Sequence, residues 1–230
     1  VNPRAGRTKS FAPLFDAVAC FSKAGYLVKV FLTEGRGDAT RAAAELGGAY
    51  DLVVCAGGDG TFNEALTGAQ GCSLAAVGCL PFGSGNDFLR TYGTREEFND
   101  LDAQLAGGEV DIDLMQTDLG LSATICAAGL DAQVAYGIPQ FRRIPFCGGE
   151  MAYALSIVKQ LCGHIGRNVT FTIDGEELTV DCLMCAVCNG RTYGGGFYAA
   201  PEAQPDDGWL DVFIIRRVSR LTIARLLGMY

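Results

Sequence analysis

Several residue types are scarce in this 230-residue chain, and each scarcity excludes a class of function. His164 is the only histidine, so Ser-His nucleophilic catalysis has little support. No lysine lies between Lys29 and Lys159, so no glycine-rich loop there can carry the Gly-Lys-Ser/Thr of a Walker nucleotide loop. No apolar run approaches the roughly 18 residues that a transmembrane helix needs, and no signal segment opens the chain.

Positive charge is also in short supply. The 26 acidic residues outnumber the 18 basic ones and give a net charge of -8, which argues against a nucleic-acid partner.

Ten cysteines without a secretory signal predict reduced thiols and a cytoplasmic location. Cys182, Cys185 and Cys188 have a metal-like spacing, but they fall in a predicted strand whose alternate residues face opposite sides. We therefore expect no metal at these cysteines, because the three thiols cannot converge.

The first half of the chain alternates between two kinds of pattern. Helical patterns are TKSFAPLFDAVACFSKAG (8–25), DATRAAAELGG (38–48), TFNEALTGA (61–69) and NDFLRTYG (86–93). Strand patterns are YLVKVFL (26–32), DLVVCA (51–56) and LAAVGCL (74–80), with VNPRAG taken as the end of an earlier strand. Such alternation indicates a parallel sheet covered by helices on both faces.

The second half is rich in strand patterns. They are LSATICAAG (121–129), NVTFTID (168–174), ELTVDCLMCAVCNG (177–190), GGFYAAP (195–201) and WLDVFIIRR (209–217). One helical pattern, EMAYALSIVKQLCG (150–163), interrupts them, and LTIARLLGMY (221–230) begins another. The fold class is therefore α/β: a doubly wound, parallel-sheet nucleotide-binding domain over 1–118, then a β-rich, sandwich-like domain over 119–230.

Three glycine-bearing loops follow predicted strands of the first half: NPRAG (2–6), GGDGTFNE (57–64) and PFGSGNDF (81–88). Ligands of an open parallel sheet bind beyond the carboxyl ends of its strands, so we expect all three loops on one edge. Glycine lets backbone N–H groups approach a ligand, and the start of a helix adds N–H donors and a positive dipole end. The loops therefore predict a phosphate site, and at Gly58 we expect a positive φ that a β-branched residue would resist.

An acid among these glycines is unusual. The carboxylate of Asp59 would repel phosphate unless a divalent cation lay between them, and Asp87 in the third loop is placed to help. These acids predict Mg²⁺ held by carboxylates and triphosphate oxygens. The alternative for GGDG is a tight hairpin turn, which the buried strand before it and the helix after it disfavour.

The motifs NPRAG, GGDGTFNE and PFGSGNDFLR, followed by NGRTYGGGFYAAPEAQPDDGWLDVFII (189–215), resemble the diacylglycerol kinase catalytic-domain family of bacterial soluble lipid kinases. The resemblance covers essentially the whole chain. GGDGT is shared with NAD kinases and phosphofructokinase relatives, whereas the later motifs point to the lipid kinases.

The resemblance implies roles for individual residues. It implies ATP contacts at Asn2, Pro3, Arg4, Ala5, Gly6, Thr33, Gly57, Gly58, Asp59, Gly60, Thr61, Phe62, Asn63 and Ser84. It implies an aspartate network around the catalytic Mg²⁺ at Asp59, Asp87 and Asp113, with Asp111 as the alternative to Asp113. It also implies a second, structural metal loop with ligands at Gln204, Asp207 and the backbone oxygen of Trp209.

One feature departs from the family pattern. The family's catalytic base lies in a C-terminal Asp-Gly-Glu, whereas Asp174-Gly175-Glu176 precedes the GGGF motif and matches an earlier strand turn. We expect the base, and the last strands of the second domain, to lie beyond Tyr230.

The sequence thus predicts an ATP- and Mg²⁺-dependent lipid kinase that phosphorylates a lipid hydroxyl, with diacylglycerol as the default acceptor. It would act in the cytoplasm and peripherally at a membrane surface, where the segment QFRRIPF (140–146) is a candidate contact. The alternatives are a kinase for a soluble acceptor such as NAD, and a nucleotide-binding fragment without turnover.

Overall fold

The computed structural model describes residues 1–6, 12–72, 76–144, 147 and 149–227. The predictions made for 8–11, 74–75, 145–146 and 228–230 lie outside the described residues.

The helices of the described residues are α1 (Ala12–Lys23), α2 (Asp38–Leu46), α3 (Asp59–Ala69), α4 (Arg95–Asn99), α5 (Leu101–Ala106), α6 (Leu130–Phe141), α7 (Gly149–Cys162) and α8 (Arg220–Leu227). The strands are β1 (Leu52–Gly57), β2 (Ala76–Pro81), β3 (Met115–Thr117), β4 (Gly120–Ser122), β5 (Ile125–Gly129), β6 (Arg167–Ile173), β7 (Glu176–Cys188), β8 (Thr192–Tyr193), β9 (Phe197–Tyr198) and β10 (Asp211–Arg216).

The chain divides into two compact units. The first unit comprises Val1–Ile125 and Cys188–Leu210, and the second comprises Cys126–Val187 and Asp211–Tyr230. The GGGF motif and the predicted second metal loop therefore belong to the first unit. The domain boundary between 118 and 119 stays a prediction.

The first unit is built around β1 and β2, which pair in parallel from Leu52 opposite Ala76 to Gly57 opposite Pro81. Helix α3 follows β1 directly and buries one side, because its apolar residues recur at the spacing of one helix face. The core cluster contains Cys55, Phe62, Ala65, Leu66, Cys79, Leu89 and Ala123. Parallel strands with helices confirm the α/β class of this unit.

Two expectations in the first half are wrong in detail. Residues 26–32 are all described but carry no assigned strand, since their backbone joins Val1 only at Phe31 and Thr33. The predicted helix over 86–93 shrinks to a 3₁₀ turn at Leu89–Thr91. The reason is packing: Phe88 stacks on Phe62 at 4.5 Å and Leu89 is buried, so the preceding residues remain a loop.

Helices α4 and α5 were not expected, although each has a local signal at its start. Thr94 and Glu97 form a capping box, and the carboxylate of Asp100 accepts a hydrogen bond from the N–H of Ala103 at 3.0 Å. The two helices have only five and six residues, which is too short for a helical periodicity to show in the sequence.

The second unit holds a sheet in which β7 lies between β5 and β10 and also pairs with β6. Strands β6 and β7 are antiparallel, and their two-residue turn is Asp174-Gly175, with φ of 50° and 86°. This confirms that the triplet at 174–176 is a strand turn. Cys182, Cys185 and Cys188 lie on β7 as expected, and the described residues contain no group of three or more metal-ligating side chains.

Helix α6 contradicts the expectation of one internal helix in this half. Gly137 and Pro139 disfavoured a helix there, but α6 packs on α7 so closely that a side chain at Gly137 would collide with Ser156. None of the described helices combines the length and apolarity needed to cross a membrane.

Candidate nucleotide-binding site

Residues of all three glycine-bearing loops line one cleft of the first unit, with a volume of about 460 Å³. The expected site residues that line it are Asn2, Arg4, Ala5, Gly6, Thr33, Gly58, Asp59, Gly60, Thr61 and Ser84. The lining also includes Glu34, Gly35, Arg36, Glu64, Gly83 and Gly85, which had not been singled out. The carboxyl ends of β1 and β2 are adjacent because the strands are parallel and in register, and this places their loops together.

Four of the expected nucleotide-contact residues, Pro3, Gly57, Phe62 and Asn63, are not among those that line this cleft. Phe62 is buried in the core, and the side-chain oxygen of Asn63 accepts a hydrogen bond from the N–H of Ala123 at 3.2 Å. These two residues hold α3 in place, which is a supporting role.

The second and third loops approach each other too closely for side chains. The N–H of Gly83 donates to the carbonyl of Gly57 at 2.7 Å, and a Cβ atom on Gly58 would stand 3.1 Å from Cα of Gly83. Gly58 has φ of -115°, so the expected positive φ is wrong, and glycine is needed here for space. Asn86 takes a left-handed φ of 55°, and its amide donates to the carbonyl of Gly83 at 2.8 Å.

The first loop is joined to α3 through Asn2. Its amide nitrogen donates to Oγ1 of Thr61 at 3.0 Å, while its side-chain oxygen accepts from the N–H of Arg4 at 3.0 Å. The N–H of Asn2 also donates to the carbonyl of Ala56 at the end of β1. One side chain therefore sets the position of the first loop relative to the helix start.

Helix α3 begins at the cleft with Asp59, after Gly58 as its N-cap residue. The first N–H groups of an α-helix have no carbonyl partner within the helix, and the dipole makes this end positive. Asp59, Gly60 and Thr61 all line the cleft, so this helix end faces it. The arrangement favours an anion such as phosphate.

Asp59 and Asp87 lie close together beside Gly85. A Cβ atom on Gly85 would be 3.0 Å from Oδ2 of Asp59 and 3.2 Å from Oδ2 of Asp87. Oδ1 of Asp59 accepts from the N–H of Phe88 at 3.0 Å, and Oδ2 of Asp87 accepts from the N–H of Gly195 at 2.8 Å. Backbone N–H groups thus hold both carboxylates in position, and the donor to Asp87 belongs to the GGGF motif at 194–197.

Burial raises the pKa of the Asp87 carboxyl, and the negative charge of Asp59 raises it further. The N–H groups of Gly195 and Gly196 and the guanidinium of Arg90 act in the opposite direction, with Nε of Arg90 3.5 Å from Oδ1 of Asp87. That oxygen is buried and has no hydrogen-bond partner.

This arrangement fits a divalent cation. Carboxylate oxygens are the hard ligands that Mg²⁺ prefers, and here two carboxylates are neighbours and one buried oxygen has no hydrogen-bond partner. Within the described residues no three acidic, cysteine or histidine side chains converge, so phosphate oxygens or water would have to complete the coordination. The residues suited to hold the ion are Asp59 and Asp87.

The contacts of Asp113 lie in the predicted second metal loop. Its N–H donates to the carbonyl of Pro205 at 2.6 Å, and its Oδ2 accepts from the N–H of Gly208 at 2.7 Å. In the same loop Oδ1 of Asp207 accepts from the N–H of Trp209 at 2.9 Å, while Gln204 is exposed. Asp113 thus fixes the position of this loop through two hydrogen bonds. Metal binding by the loop stays a prediction. Asp111, the alternative residue, is exposed.

Sequence reasoning missed three residues that support the site. Arg90 pairs with Asp87, Thr192 donates from Oγ1 to the carbonyl of Asp87 at 3.2 Å, and Asn189 donates to the carbonyl of Asp113 at 2.7 Å. The signal was available in part, because Thr192 and Asn189 lie in the quoted motif NGRTYGGGF and Arg90 ends GSGNDFLR.

Comparison with known proteins gives two family-model matches and a set of relatives. The diacylglycerol kinase catalytic domain model matches residues 1–117, and the YegS C-terminal NAD kinase beta sandwich-like domain model matches residues 124–230. A diacylglycerol kinase of Bacillus subtilis (strain 168) is 28% identical over 99% of this chain and 76% of its own length. One from Staphylococcus aureus (strain MRSA252) is 27% identical over 94% of this chain and 69% of its own.

Solved structures give the same fold. The crystal structure of a diacylglycerol kinase from Bacillus anthracis str. Sterne superposes with a TM-score of 0.74 at 24% identity, covering 100% of this chain and 76% of that chain. The fold class expected from the sequence is thereby confirmed. Because the diacylglycerol kinase catalytic domain model matches residues 1–117, which is more than half of the chain, this chain belongs to the diacylglycerol kinase catalytic domain family.

Proposed function

We propose that this protein is a lipid kinase that transfers the γ-phosphoryl group of ATP to a lipid hydroxyl, most simply converting diacylglycerol to phosphatidic acid. One observation carries the proposal: three glycine-bearing loops and the start of α3 meet around a single cleft, with Asp59 in its lining and the carboxylate of Asp87 beside that of Asp59. Membership of the family and relatives named diacylglycerol kinase support it.

The cleft would hold the phosphates of ATP mainly through the backbone. The first N–H groups of α3 supply donors and a positive dipole end, and the close packing of Gly58 on Gly83 leaves the loops without side chains that would block approach. Arg4 and Arg36 also line the cleft and add positive charge there, since none of the described residues in its lining is a lysine.

Asp59 and Asp87 would hold Mg²⁺ against the phosphates. A bound Mg²⁺ supplies neutralisation of the negative charge that develops during phosphoryl transfer. The protein's own task is to keep both carboxylates in position, which the N–H groups of Phe88 and Gly195 do. A cation nearby would also lower the raised pKa of Asp87, since a positive charge favours the ionised carboxylate.

A general base for the acceptor hydroxyl is left unassigned within residues 1–230. The one Asp-Gly-Glu of the chain forms the turn between β6 and β7. The acceptor would reach the enzyme from a membrane, so we place the protein in the cytoplasm and peripherally at a membrane surface.

A second candidate is a kinase for a soluble acceptor such as NAD. The observation in its favour is the family model for residues 124–230, whose description refers to an NAD kinase beta sandwich. A nucleotide-binding protein without turnover is the third possibility, because the cleft alone accounts for binding and not for transfer.

Phosphoryl transfer from γ-labelled ATP separates these functions. The protein is incubated with Mg²⁺ and either diacylglycerol in mixed micelles or NAD, and ATP affinity is measured by calorimetry on the same sample. Label in phosphatidic acid supports the lipid kinase, and label in NADP supports the second candidate. ATP binding without label in either product would favour the nucleotide-binding protein, and absence of ATP binding would overturn all three.

A further inference from the structure

Two cysteines stand opposite each other on the pair of strands that leads to the nucleotide cleft. In the parallel register of β1 and β2, Cys55 is the partner of Cys79. Both are free thiols, and both are buried in the same apolar cluster. Paired residues of neighbouring strands point to the same face of a sheet, so the two sulfur atoms lie side by side.

The two thiols are close enough for a covalent bond. Neighbouring strands lie about 4.8 Å apart, and the Cα atoms joined by a disulfide usually lie about 4.4–6.8 Å apart. The side chains of Cys55 and Cys79 also hydrogen-bond each other. A disulfide can therefore form in the folded protein, but its Cβ atoms must approach to about 3.8 Å, which draws the strands together.

Cys55 is the more reactive thiol of the pair. The hydrogen bond from Cys79 lowers the pKa of Cys55 against the effect of burial, and the same hydrogen bond raises the pKa of Cys79. The thiolate is the form that attacks an oxidant. Cys55 is also among the residues that line an apolar pocket of the first unit with a volume of about 380 Å³, which gives a small oxidant a route to it.

A bond between these thiols would be felt in the nucleotide cleft. Cys55 and Cys79 each lie two residues before the ends of their strands, at Gly57 and Pro81. There the N–H of Gly83 donates to the carbonyl of Gly57 at 2.7 Å, which joins the second and third glycine-bearing loops. Drawing the strands together so near their ends would disturb the fit between these loops.

We propose that Cys55 and Cys79 are an oxidation site, where a peroxide forms a reversible disulfide that weakens nucleotide binding. The effect on the nucleotide rests on the proposed function, whereas formation of the disulfide does not. A disulfide that shifts its strands is strained, and strained disulfides are easily reduced, which makes this bond suited to regulation. Disulfides in reducing compartments are usually transient in this way.

The oxidation consumes one hydrogen peroxide and releases two water molecules. The thiolate of Cys55 attacks a peroxide oxygen, the O–O bond breaks, and the leaving hydroxide takes up the thiol proton, so Cys55 becomes a sulfenic acid. The sulfur of Cys79 then attacks the sulfenic sulfur, and the S–O bond breaks. The second hydroxide leaves as water with the proton of Cys79. The two sulfur atoms have then given two electrons to the peroxide, and a dithiol such as dithiothreitol returns them.

The test exposes the reduced protein to hydrogen peroxide, blocks the remaining thiols with iodoacetamide and maps the peptides by mass spectrometry without reduction. We expect a cross-link between the peptides that contain Cys55 and Cys79, with the loss of two hydrogen atoms. Calorimetry on the same sample should show ATP affinity lowered about ten-fold, since a hydrogen bond between the phosphate loops is disturbed. Dithiothreitol should restore it.

Three variants complete the test. Cys55→Ala and Cys79→Ala each remove one partner, so their ATP affinity should no longer respond to peroxide. Cys162→Ala is the matched control, because it removes an exposed thiol of the second unit and should keep the cross-link and the response of the parent. Each variant is compared with itself before and after oxidation, so a change in its stability does not alter the result.

Absence of the cross-link in the oxidised parent would overturn the proposal. A cross-link with unchanged ATP affinity would overturn its regulatory part, and an equal loss of affinity in Cys55→Ala would assign the effect to another residue. If the reduced parent does not bind ATP, the proposed function fails, but the cross-link can still be measured. Hydrogen exchange at residues 57–61 and 82–88 then measures the effect on the loops without nucleotide. We expect faster exchange in the oxidised protein, and unchanged exchange would contradict the proposal.

Discussion

The carboxylates of Asp59 and Asp87 both lie beside Gly85, so close that any side chain at this position would press on both of them. A Cβ atom there would stand 3.0 Å from one carboxylate and 3.2 Å from the other. Two negative groups this close repel each other in a partly buried site, and a shared cation relieves that repulsion.

Asp59→Asn should uncouple ATP binding from Mg²⁺. The amide can still accept the hydrogen bond from the N–H of Phe88, so the loop keeps its shape, but the charge that attracts the cation is lost. In the parent we expect Mg²⁺ to strengthen ATP binding by about ten-fold or more, roughly 1.4 kcal/mol, and in the variant by much less. Calorimetry with and without Mg²⁺ measures both, and Glu64→Gln removes another cleft carboxylate as a control. An equal Mg²⁺ effect in parent and variant would contradict the prediction.

Asp87→Asn should stabilise the metal-free protein in a pH-dependent way. The folded pKa of Asp87 is raised above its ordinary value of 3.8, so the folded state binds more protons than the unfolded state between these two values. Stability therefore falls as pH rises through that window, and the deficit remains at higher pH. Removing the carboxyl removes the deficit.

We expect the Tm of Asp87→Asn to exceed that of the parent near about pH 7 and the difference to vanish below about pH 4. A gain of about 1 kcal/mol would correspond to about 2–4 °C for a chain of this size. Thermal denaturation in chelator across this pH range measures it. A Tm below that of the parent near neutral pH would show that the carboxylate stabilises the apo fold.

Gly60→Ala should separate folding from binding. Gly60 lies in the first turn of α3 and lines the cleft, and an added Cβ would meet nothing within 4 Å. Alanine should leave the fold intact or stabilise it by up to about 1 kcal/mol, but its methyl group would stand where a phosphate must approach. We expect ATP affinity to fall about ten-fold with no loss in Tm.

Gly48→Ala provides the matched control, because a Cβ there also meets nothing within 4 Å and Gly48 does not line the cleft. If both variants bind ATP like the parent, the start of α3 does not hold phosphate.

Asn2→Ala should loosen the first loop. It removes the hydrogen bond to Oγ1 of Thr61 and the one accepted from the N–H of Arg4, each worth about 0.5–1.5 kcal/mol. ATP affinity should fall about ten-fold, and Thr61→Val should lose part of the same energy. A double-mutant cycle measured by calorimetry checks the coupling, with Thr61→Ser as the variant that keeps the hydroxyl. Additive effects would show that the two side chains act independently.

The parts of the fold that the sequence predicted well are those with local signals. Strand β1 and helix α3 follow from an apolar run, two glycines and a helical spacing of apolar residues, and the cleft follows from the topology of parallel strands. The turn at Asp174-Gly175 likewise follows from residue types that tolerate positive φ. Helix α6 was missed because Gly137 and Pro139 argue against it locally, whereas its packing on Ser156 is a long-range contact.

The same contrast between local sequence signals and long-range contacts applies to the candidate site. By itself the sequence indicated that the three glycine-bearing loops would lie together and that Asp59 and Asp87 would be neighbours, because short motifs fix backbone shape and charge within a few residues. Only the tertiary structure decided that the N–H of Gly195 donates to Asp87 and that the N–H of Gly208 donates to Asp113. The tertiary structure also decided that Cys188–Leu210 belongs to the first unit. Gly195 lies 108 residues from Asp87, and Gly208 lies 95 from Asp113. No local pattern encodes such pairs, because they form only when the packing of whole elements brings distant backbone donors and carboxylates together.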